Sequence, residues 1–424
     1  MQNTKKFSLV ALGCRTNQYE IQAYAKQLRE LGFEEATGDE LADICIVNTC
    51  TVTEDADRAS RFQIRSLKRK NPDARIVVTG CLSDALEKQP LPEIDRVIPN
   101  KKKESLISDV FSDLNAWPEF SIDRFGGHTR AFVKVQDGCN SYCTYCIIPY
   151  VRGRSRSRKK AEIIEEIKNL IKNGYKEIVL TGINIGDFDG APEGDEPAVR
   201  LSELVREVDS LPGLKRLRLS SIDPDEVDEE LQNAILFGKT TCPSLHLVLQ
   251  SGSNVVLKRM NRKYTRQIFL ETAERLRSKT PEFGFTTDVI VGFPGETEND
   301  FEETLNVVEE IGFAKVHVFP YSPRKRTRAA LYPDQVPQNV LTERKQRLLE
   351  IAERSAFHFR NQFIGKELTV LIEDEVSKEG GLIAGHSEHF VKVWLAKQSL
   401  RPNQIVKVVC KANNKEGLLA EVVE

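Results

Sequence analysis

The 424-residue sequence contains no apolar run long enough to cross a bilayer, which argues against a membrane-embedded protein or a membrane partner. It also has almost no net charge, with 61 Lys and Arg against 63 Asp and Glu. A chain so balanced does not bind polyanions over its whole surface, and any contact with nucleic acid must rest on local basic patches. A disulfide framework is missing as well. Nine cysteines are an odd number without small-scaffold spacing, so they point to metal or redox use in a reducing, cytoplasmic compartment. The stretch from Lys5-Lys6 to Cys14 superficially resembles a lipoprotein leader. Its apolar run is too short and leads into Arg15, so a first strand is expected there. With 40% hydrophobic residues, the length suffices for two or three domains with real cores.

Three of the cysteines lie close together, Cys139, Cys143 and Cys146, in the pattern C-x-x-x-C-x-x-C. Zinc would want a fourth local ligand, but none follows Cys146, and His128 lies beyond an expected strand. A [4Fe–4S] cluster normally takes Cys on every iron, so three thiolates leave one iron open to an outside ligand. The spacing resembles the signature of the radical S-adenosylmethionine (SAM) enzymes. That resemblance implies a cluster whose open iron chelates the amino and carboxylate groups of SAM, and whose electron cleaves the sulfonium to a deoxyadenosyl radical.

Hydrophobic periodicity divides the chain into three regions. In the first, domain 1–115, strands are expected at 7–12, 44–48 and 75–79, with helical runs at 21–31 and 59–68 between them, giving a small parallel α/β domain. Asn17 and Glu20 fit a helix N-cap with a back-bonding carboxylate. Weak patterning with Pro118 and Gly126-Gly127 over 113–127 suggests a boundary. In the second, domain 125–360, six strands are expected at 132–136, 178–181, 216–220, 245–249, 287–291 and 315–319. Helical runs at 161–172, 201–208, 268–277 and 302–311 separate them. Six βα units are too few for an eight-stranded barrel and imply an open partial barrel, the core that radical SAM enzymes have. Cys139 then falls after the first strand, on the face where such barrels assemble their sites. In the third, domain 361–424, beyond a charged helix over 342–360, short alternating runs at 367–372, 390–394, 405–409 and 418–422 suggest a small antiparallel barrel. Gly380-Gly381 and Asn413-Asn414 supply turns. This tail resembles a TRAM domain, an RNA-binding module.

Cys14, Cys50 and Cys81 each stand just after an expected parallel strand of the first region, where open sheets form ligand sites. They are therefore candidates for one further three-thiol site. Cys45, Cys242 and Cys410 have no such placement and read as core residues. Two three-Cys sets in this order, with a TRAM-like tail after them, resemble the methylthiotransferases over essentially the whole chain. Gly13-Cys14-Arg15-Thr16-Asn17-Gln18-Tyr19-Glu20, Asp57-Arg58-Ala59-Ser60-Arg61 and His317-Val318-Phe319-Pro320-Tyr321-Ser322 look most like the MtaB type. That type converts N6-threonylcarbamoyladenosine beside the tRNA anticodon, at position 37, to its 2-methylthio form. Types acting on isopentenyladenosine tRNA or on a ribosomal-protein aspartate are the alternatives within the family. An iron–sulfur electron carrier is the alternative outside it, and would call for closed four-Cys clusters.

The resemblance implies two [4Fe–4S] clusters, SAM, an electron donor such as flavodoxin or ferredoxin, and a sulfur donor. One SAM methylates a sulfur held on the N-terminal cluster, and a second at Cys139, Cys143 and Cys146 yields the radical that takes hydrogen from adenine. By position at strand ends, Thr181-Gly182 are candidates for the amino end of SAM, and Ser220-Ser221 for its ribose. Gly292, Pro294 and Gly295 offer a close backbone approach to its adenine. Two basic runs, Arg154, Arg156 and Arg158 beside the cluster motif and Arg324, Lys325 and Arg326 after the sixth strand, are candidates for phosphate contacts. Unstacked bases of an anticodon loop are the usual target of such recognition.

Overall fold

The structure is a computed structural model that describes residues 4–113, 116–194, 196–378, 380–397 and 399–423. Its first region is a five-stranded parallel sheet centred on the strands Lys6–Ala11, Ile44–Thr49 and Arg75–Gly80, flanked by short strands at Glu34–Glu35 and Arg96–Val97. The middle strand is buried along its whole length, because helices cover both faces of a parallel sheet. The first helix, Arg15–Glu30, begins at the residue after Cys14. Asn17 and Glu20 therefore lie inside it, and the capping role expected of them is incorrect. Cys14 itself is the N-cap and makes no side-chain cap bond. Asn17 instead donates to the carbonyls of Leu12 and Thr49 at 2.6 and 3.0 Å, tying together the turns that carry Cys14 and Cys50.

The expected boundary segment includes residues 114 and 115, which lie outside the described residues. Beyond them the chain packs closely: Pro118 accepts a hydrogen bond from Gln27, and Ile122 and Phe125 are buried in the central core.

The six expected strands of the second region are present at Arg130–Lys134, Glu177–Thr181, Arg216–Leu219, Ser244–Leu247, Gly284–Val291 and Lys315–Pro320. They run parallel in chain order, the third and fourth joined through a Leu217–Thr241 bridge and the short strand Ser221–Ile222. This is an open partial barrel, and the helix Arg15–Glu30 packs against its first strand.

The tail closes into a five-stranded barrel whose pairs are antiparallel except for Lys392–Ala396 with Gly417–Val422. One of its strands, Leu382–Ser387, is not expected from the sequence, because Gly385 and His386 interrupt the alternation. Gly385 is required there, since a Cβ would stand 2.4 Å from the Leu371 carbonyl oxygen. The tail is joined to the central barrel by buried hydrogen bonds. Arg216 donates to the carbonyls of Thr369 and His386 at 2.6 and 2.9 Å, and Arg218 to those of Ser387 and Glu388 at 2.7 and 2.9 Å.

Candidate active site

Cys14, Cys50 and Cys81 sit at the carboxyl ends of three adjacent parallel strands, as their spacing implied. Gly13 makes this possible. It has φ +85°, and a Cβ there would lie 2.6 Å from Cys50 Sγ, so only glycine lets the Cys14 turn fold over Cys50. Cys14 is exposed while Cys50 and Cys81 are buried. Burial pushes the Cys81 thiol up to about 12, and neighbouring Cys14 and Cys50 push the same way. Holding these three groups as thiolates needs compensating positive charge, which a cluster of iron provides.

The second triplet lies in the loop after the first barrel strand. Gly138, at φ +74°, backs onto the Arg154 carbonyl, which a Cβ would meet at 2.0 Å. Tyr142 also has positive φ. Cys139 Sγ accepts from the Ser141 N–H at 3.4 Å, and Cys143 Sγ from Arg262 Nη1 at 3.0 Å. Burial pushes the Cys146 thiol up to about 12, with Cys143 and Cys139 adding to it. In both triplets all cysteines are free, and the donor sets suit iron–sulfur ligation.

A buried set of charges joins the two triplets. Arg152, fully buried, donates to Asp137 Oδ1 at 2.7 Å and to Glu20 Oε1 at 3.3 Å. Its other nitrogen donates to Asn17 and stands 4.0 Å from Cys14 Sγ. Lys103 bonds both Glu20 and Asp137, and Lys134 lies 3.8 Å from Glu20. Burial alone would raise the Glu20 pKa, but Lys103, Arg152 and Lys134 overcome it and hold the carboxyl at about 2. Asp137, two residues before Cys139, is held well below its usual value by Arg152 and the same lysines against a similar burial cost. The network crosses from the first region to the barrel, and sequence periodicity carried no sign of it.

Of the strand-end candidates, the turn of Thr181-Gly182 lies against Gln136. Its Oε1 accepts from the N–H groups of Ile183 and Asn184 at 3.0 Å, and its Nε2 donates to Gly138 O at 2.9 Å, so one side chain links the cluster loop to the turn of Thr181-Gly182. Among the described residues Ser220 Oγ is buried without a hydrogen-bond partner, a hydroxyl that a polar ligand can satisfy, and Ser221 beside it is half-buried. Gly292 and Gly295 both have positive φ, and their close approaches are to Leu341 and to the Arg259 guanidinium. Between Gly292 and Pro294, buried Phe293 packs edge-on to Tyr145 of the cluster loop. Three further residues come to this rim. Asp223 binds Arg262, Asp187 approaches the Asn140 N–H, and burial together with Asp223 pushes Glu226 up to about 7. The capping-type pattern Asp223-x-x-Glu226 marks two of them in the sequence, and nothing there marks Asp187.

The two basic runs divide in use. Arg158 is largely buried against Glu166 and Tyr19, and Arg156 bonds Asp137 at 2.8 Å. Arg324 bonds Asp57 and Thr51 at 2.6 and 2.8 Å, pinning the turn after Cys50 to the barrel rim. Arg154 and Lys325 are exposed with no side-chain partner among the described residues, and Arg326 stacks on Tyr150. The helix Glu54–Lys70 adds a basic face that is not among the two runs singled out in the sequence, with exposed Phe62 among Arg58, Arg61, Arg65 and Arg69.

Family models match the radical SAM superfamily over residues 133–308 and the uncharacterized protein family UPF0004 over residues 6–98. The threonylcarbamoyladenosine tRNA methylthiotransferase MtaB of Chlamydia pneumoniae is 48% identical over 423 residues, covering 98% of each chain. The chain belongs to the methylthiotransferase family. Also similar are the MtaB protein of Bacillus subtilis, 38% identical over 97% of this chain and 96% of that one, and the tRNA-2-methylthio-N(6)-dimethylallyladenosine synthase of Clostridium novyi, 36% identical over 90% and 89%. Among solved structures, the radical SAM methyltransferase TsrM of Kitasatospora setae matches with a TM-score of 0.57 and 14% identity, covering 83% of this chain and 89% of that one, which establishes the shared fold. As a radical SAM methylthiotransferase, the protein is an enzyme that uses SAM and [4Fe–4S] clusters. Among the described residues no helix is long and apolar enough to cross a membrane.

Proposed function

We propose that this methylthiotransferase converts N6-threonylcarbamoyladenosine at position 37 of tRNA to its 2-methylthio derivative. The observation that carries the reading is the pair of three-thiol sites linked through Arg152, which bonds Asp137 before Cys139 and stands 4.0 Å from Cys14 Sγ, in a chain whose nearly half-identical relative bears that name. When bound, SAM and the cluster at Cys139, Cys143 and Cys146 supply one-electron chemistry, and the cluster at Cys14, Cys50 and Cys81 supplies the second metal centre of the family.

The protein's own residues position these groups. Arg262 and the Ser141 N–H orient the thiols of the barrel site. Thr181, Gly182, Ser220, Ser221, Gly292, Pro294 and Gly295 are assigned to SAM, with the partnerless Ser220 hydroxyl as the strongest support. The buried Arg152–Asp137 pair ties the barrel loop to the turn of Cys14 and keeps the two sites in register. For tRNA, exposed Arg154, Lys325 and Arg326, the basic face of the helix Glu54–Lys70, and the TRAM-like tail supply phosphate contacts. The anticodon loop enters at the rim, an external carrier such as flavodoxin or ferredoxin delivers electrons, a separate donor delivers sulfur, and the reaction takes place in the cytoplasm.

The test is mass spectrometry of tRNA nucleosides from a strain lacking the gene. The 2-methylthio form of threonylcarbamoyladenosine should vanish, leaving the unmodified precursor, and should return on complementation. Persistence of that nucleoside would refute the assignment.

A further inference from the structure

Between the barrel strands, the helix Arg15–Glu30 and Phe390 of the tail lies a cavity of about 280 Å³ lined by Arg15, Gln18, Phe132, Arg218, His246 and Thr286 among others. One lining residue, Arg15, stands directly after the cluster ligand Cys14. We propose that this cavity receives the carboxylate-bearing N6 substituent of the modified adenosine, with Arg15 as the carboxylate's partner. The inference rests on the proposed function and adds to it the residue that selects the substrate.

Three observations lead there. First, Arg15 is the opening residue of a sixteen-residue helix that has no acid in its first turn, a position where the helix dipole disfavours a cation. A residue that breaks a local rule in this way is expected to serve a site. Second, the other guanidiniums of the cavity are committed, Arg130 to Glu373 and Arg218 to Glu177 at 2.7 Å. No hydrogen bond or ion pair reaches the Arg15 guanidinium among the described residues, and it rests over the Phe132 ring at 5.4 Å. A partly buried guanidinium in that state is matched by a planar carboxylate, which accepts two parallel hydrogen bonds from it.

Third, the remaining polar groups suit the rest of the substituent. A threonylcarbamoyl group carries a hydroxyl and a urea-type carbonyl as well as its carboxylate, and Gln18 and the hydrogen-bonded pair of His246 Nδ1 and Thr286 Oγ1, 2.9 Å apart, stand in the wall to meet them. Among the described residues His246 Nε2 is buried without a hydrogen-bond partner, with Asp288 Oδ1 3.4 Å away. A dimethylallyl substituent has none of these groups and would leave the Arg15 guanidinium unpaired.

His246, Asp288 and His317 also present ligand atoms within 4.8 Å of one another, an arrangement a metal ion could use. Asp288 is the one anionic member of that set, while three guanidiniums, Arg15, Arg130 and Arg218, line the cavity itself, so the anionic occupant is favoured.

The test uses anaerobically reconstituted holoenzyme and anticodon stem-loops that differ only at the N6 group of one adenosine. The group is threonylcarbamoyl, its methyl ester, or dimethylallyl. Binding is read by fluorescence anisotropy, and iron content with circular dichroism reports on folding. Wild-type protein should bind the acid roughly 10- to 100-fold more tightly than the ester, the worth of a charged hydrogen-bonded pair. Arg15→Gln should bring that ratio close to one, and Arg15→Lys should restore part of it. Equal binding of acid and ester by wild-type protein overturns the proposal without any substitution. So does a preference that survives in folded Arg15→Gln. If wild-type protein binds and modifies only the dimethylallyl RNA, it is the proposed function that fails.

Discussion

Replacing Glu20 by Gln removes one charge from the network between the two cysteine triplets while keeping its shape. In the native protein Glu20 faces Lys103 at 2.6 Å, Arg152 at 3.3 Å and Lys134 at 3.8 Å, with Asn48 donating to its other oxygen at 2.8 Å. All of these groups are buried. Losing one partner of a buried set typically costs about 3–5 kcal/mol, since the remaining charges stay desolvated. The pKa gives a consistent figure. The Glu20 carboxyl falls from 4.5 to about 2 on folding, and at ~1.4 kcal/mol per unit this is about 3 kcal/mol.

The sign comes from the direction of that shift. A depressed carboxyl stabilises fully above its unfolded pKa of 4.5 and loses that contribution as pH falls toward about 2. Roughly three fifths of it should be gone at pH 3. Urea unfolding monitored by far-UV circular dichroism, on wild type and Glu20→Gln from pH 7 to pH 3, should therefore show a gap of about 3 kcal/mol at neutral pH. The gap should narrow steadily below pH 4.5. A gap under ~1 kcal/mol at pH 7, or one that does not change with pH, would refute the claim that Glu20 is an ionised member of a buried interdomain network.

Replacing Cys139, Cys143 and Cys146 together by Ala should leave one cluster, by iron and sulfide analysis, and abolish reductive SAM cleavage. Replacing Cys14, Cys50 and Cys81 should also leave one cluster but retain that cleavage. Gly138→Ala should lower iron content at the barrel site and the melting temperature together, because its Cβ would collide with the Arg154 carbonyl at 2.0 Å in a left-handed backbone. Substituting Arg154, Lys325 and Arg326 by Ala should weaken tRNA binding and flatten its salt dependence by about one unit per lost phosphate contact. Arg158→Ala should instead destabilise the fold, since that guanidinium is held by Glu166 and Tyr19.

The features legible in the sequence are those that repeat. The three long strands of the first sheet and the six of the barrel are apolar-rich segments, from the unbroken run at 44–47 to the alternating Arg216–Leu219, and the turns after the three first-sheet strands gave Cys14, Cys50 and Cys81 equivalent positions. The closed tail barrel was legible apart from the strand at Leu382–Ser387, where Gly385 admits the Leu371 backbone in place of a side chain. The charges that join the domains were not legible. Glu20, Lys103, Asp137 and Arg152 are far apart in the chain, and no periodicity marks a polar residue whose partner is contributed by another domain. The same limit hid the distinction between Arg158, spent on structure, and Arg154, left exposed in the same run. It also makes truncation of the tail a structural perturbation, since Arg216 and Arg218 would lose their carbonyl partners.

The most direct test of the account is single-turnover reaction of the anaerobic holoenzyme with tRNA bearing N6-threonylcarbamoyladenosine, SAM, a reductant and sulfide, with nucleoside mass spectrometry as the readout. The account predicts 2-methylthio-N6-threonylcarbamoyladenosine, formed by wild-type protein and absent when either cysteine triplet is replaced. Product formed without the Cys14, Cys50 and Cys81 set, or methylthiolation confined to isopentenyladenosine tRNA, would contradict it.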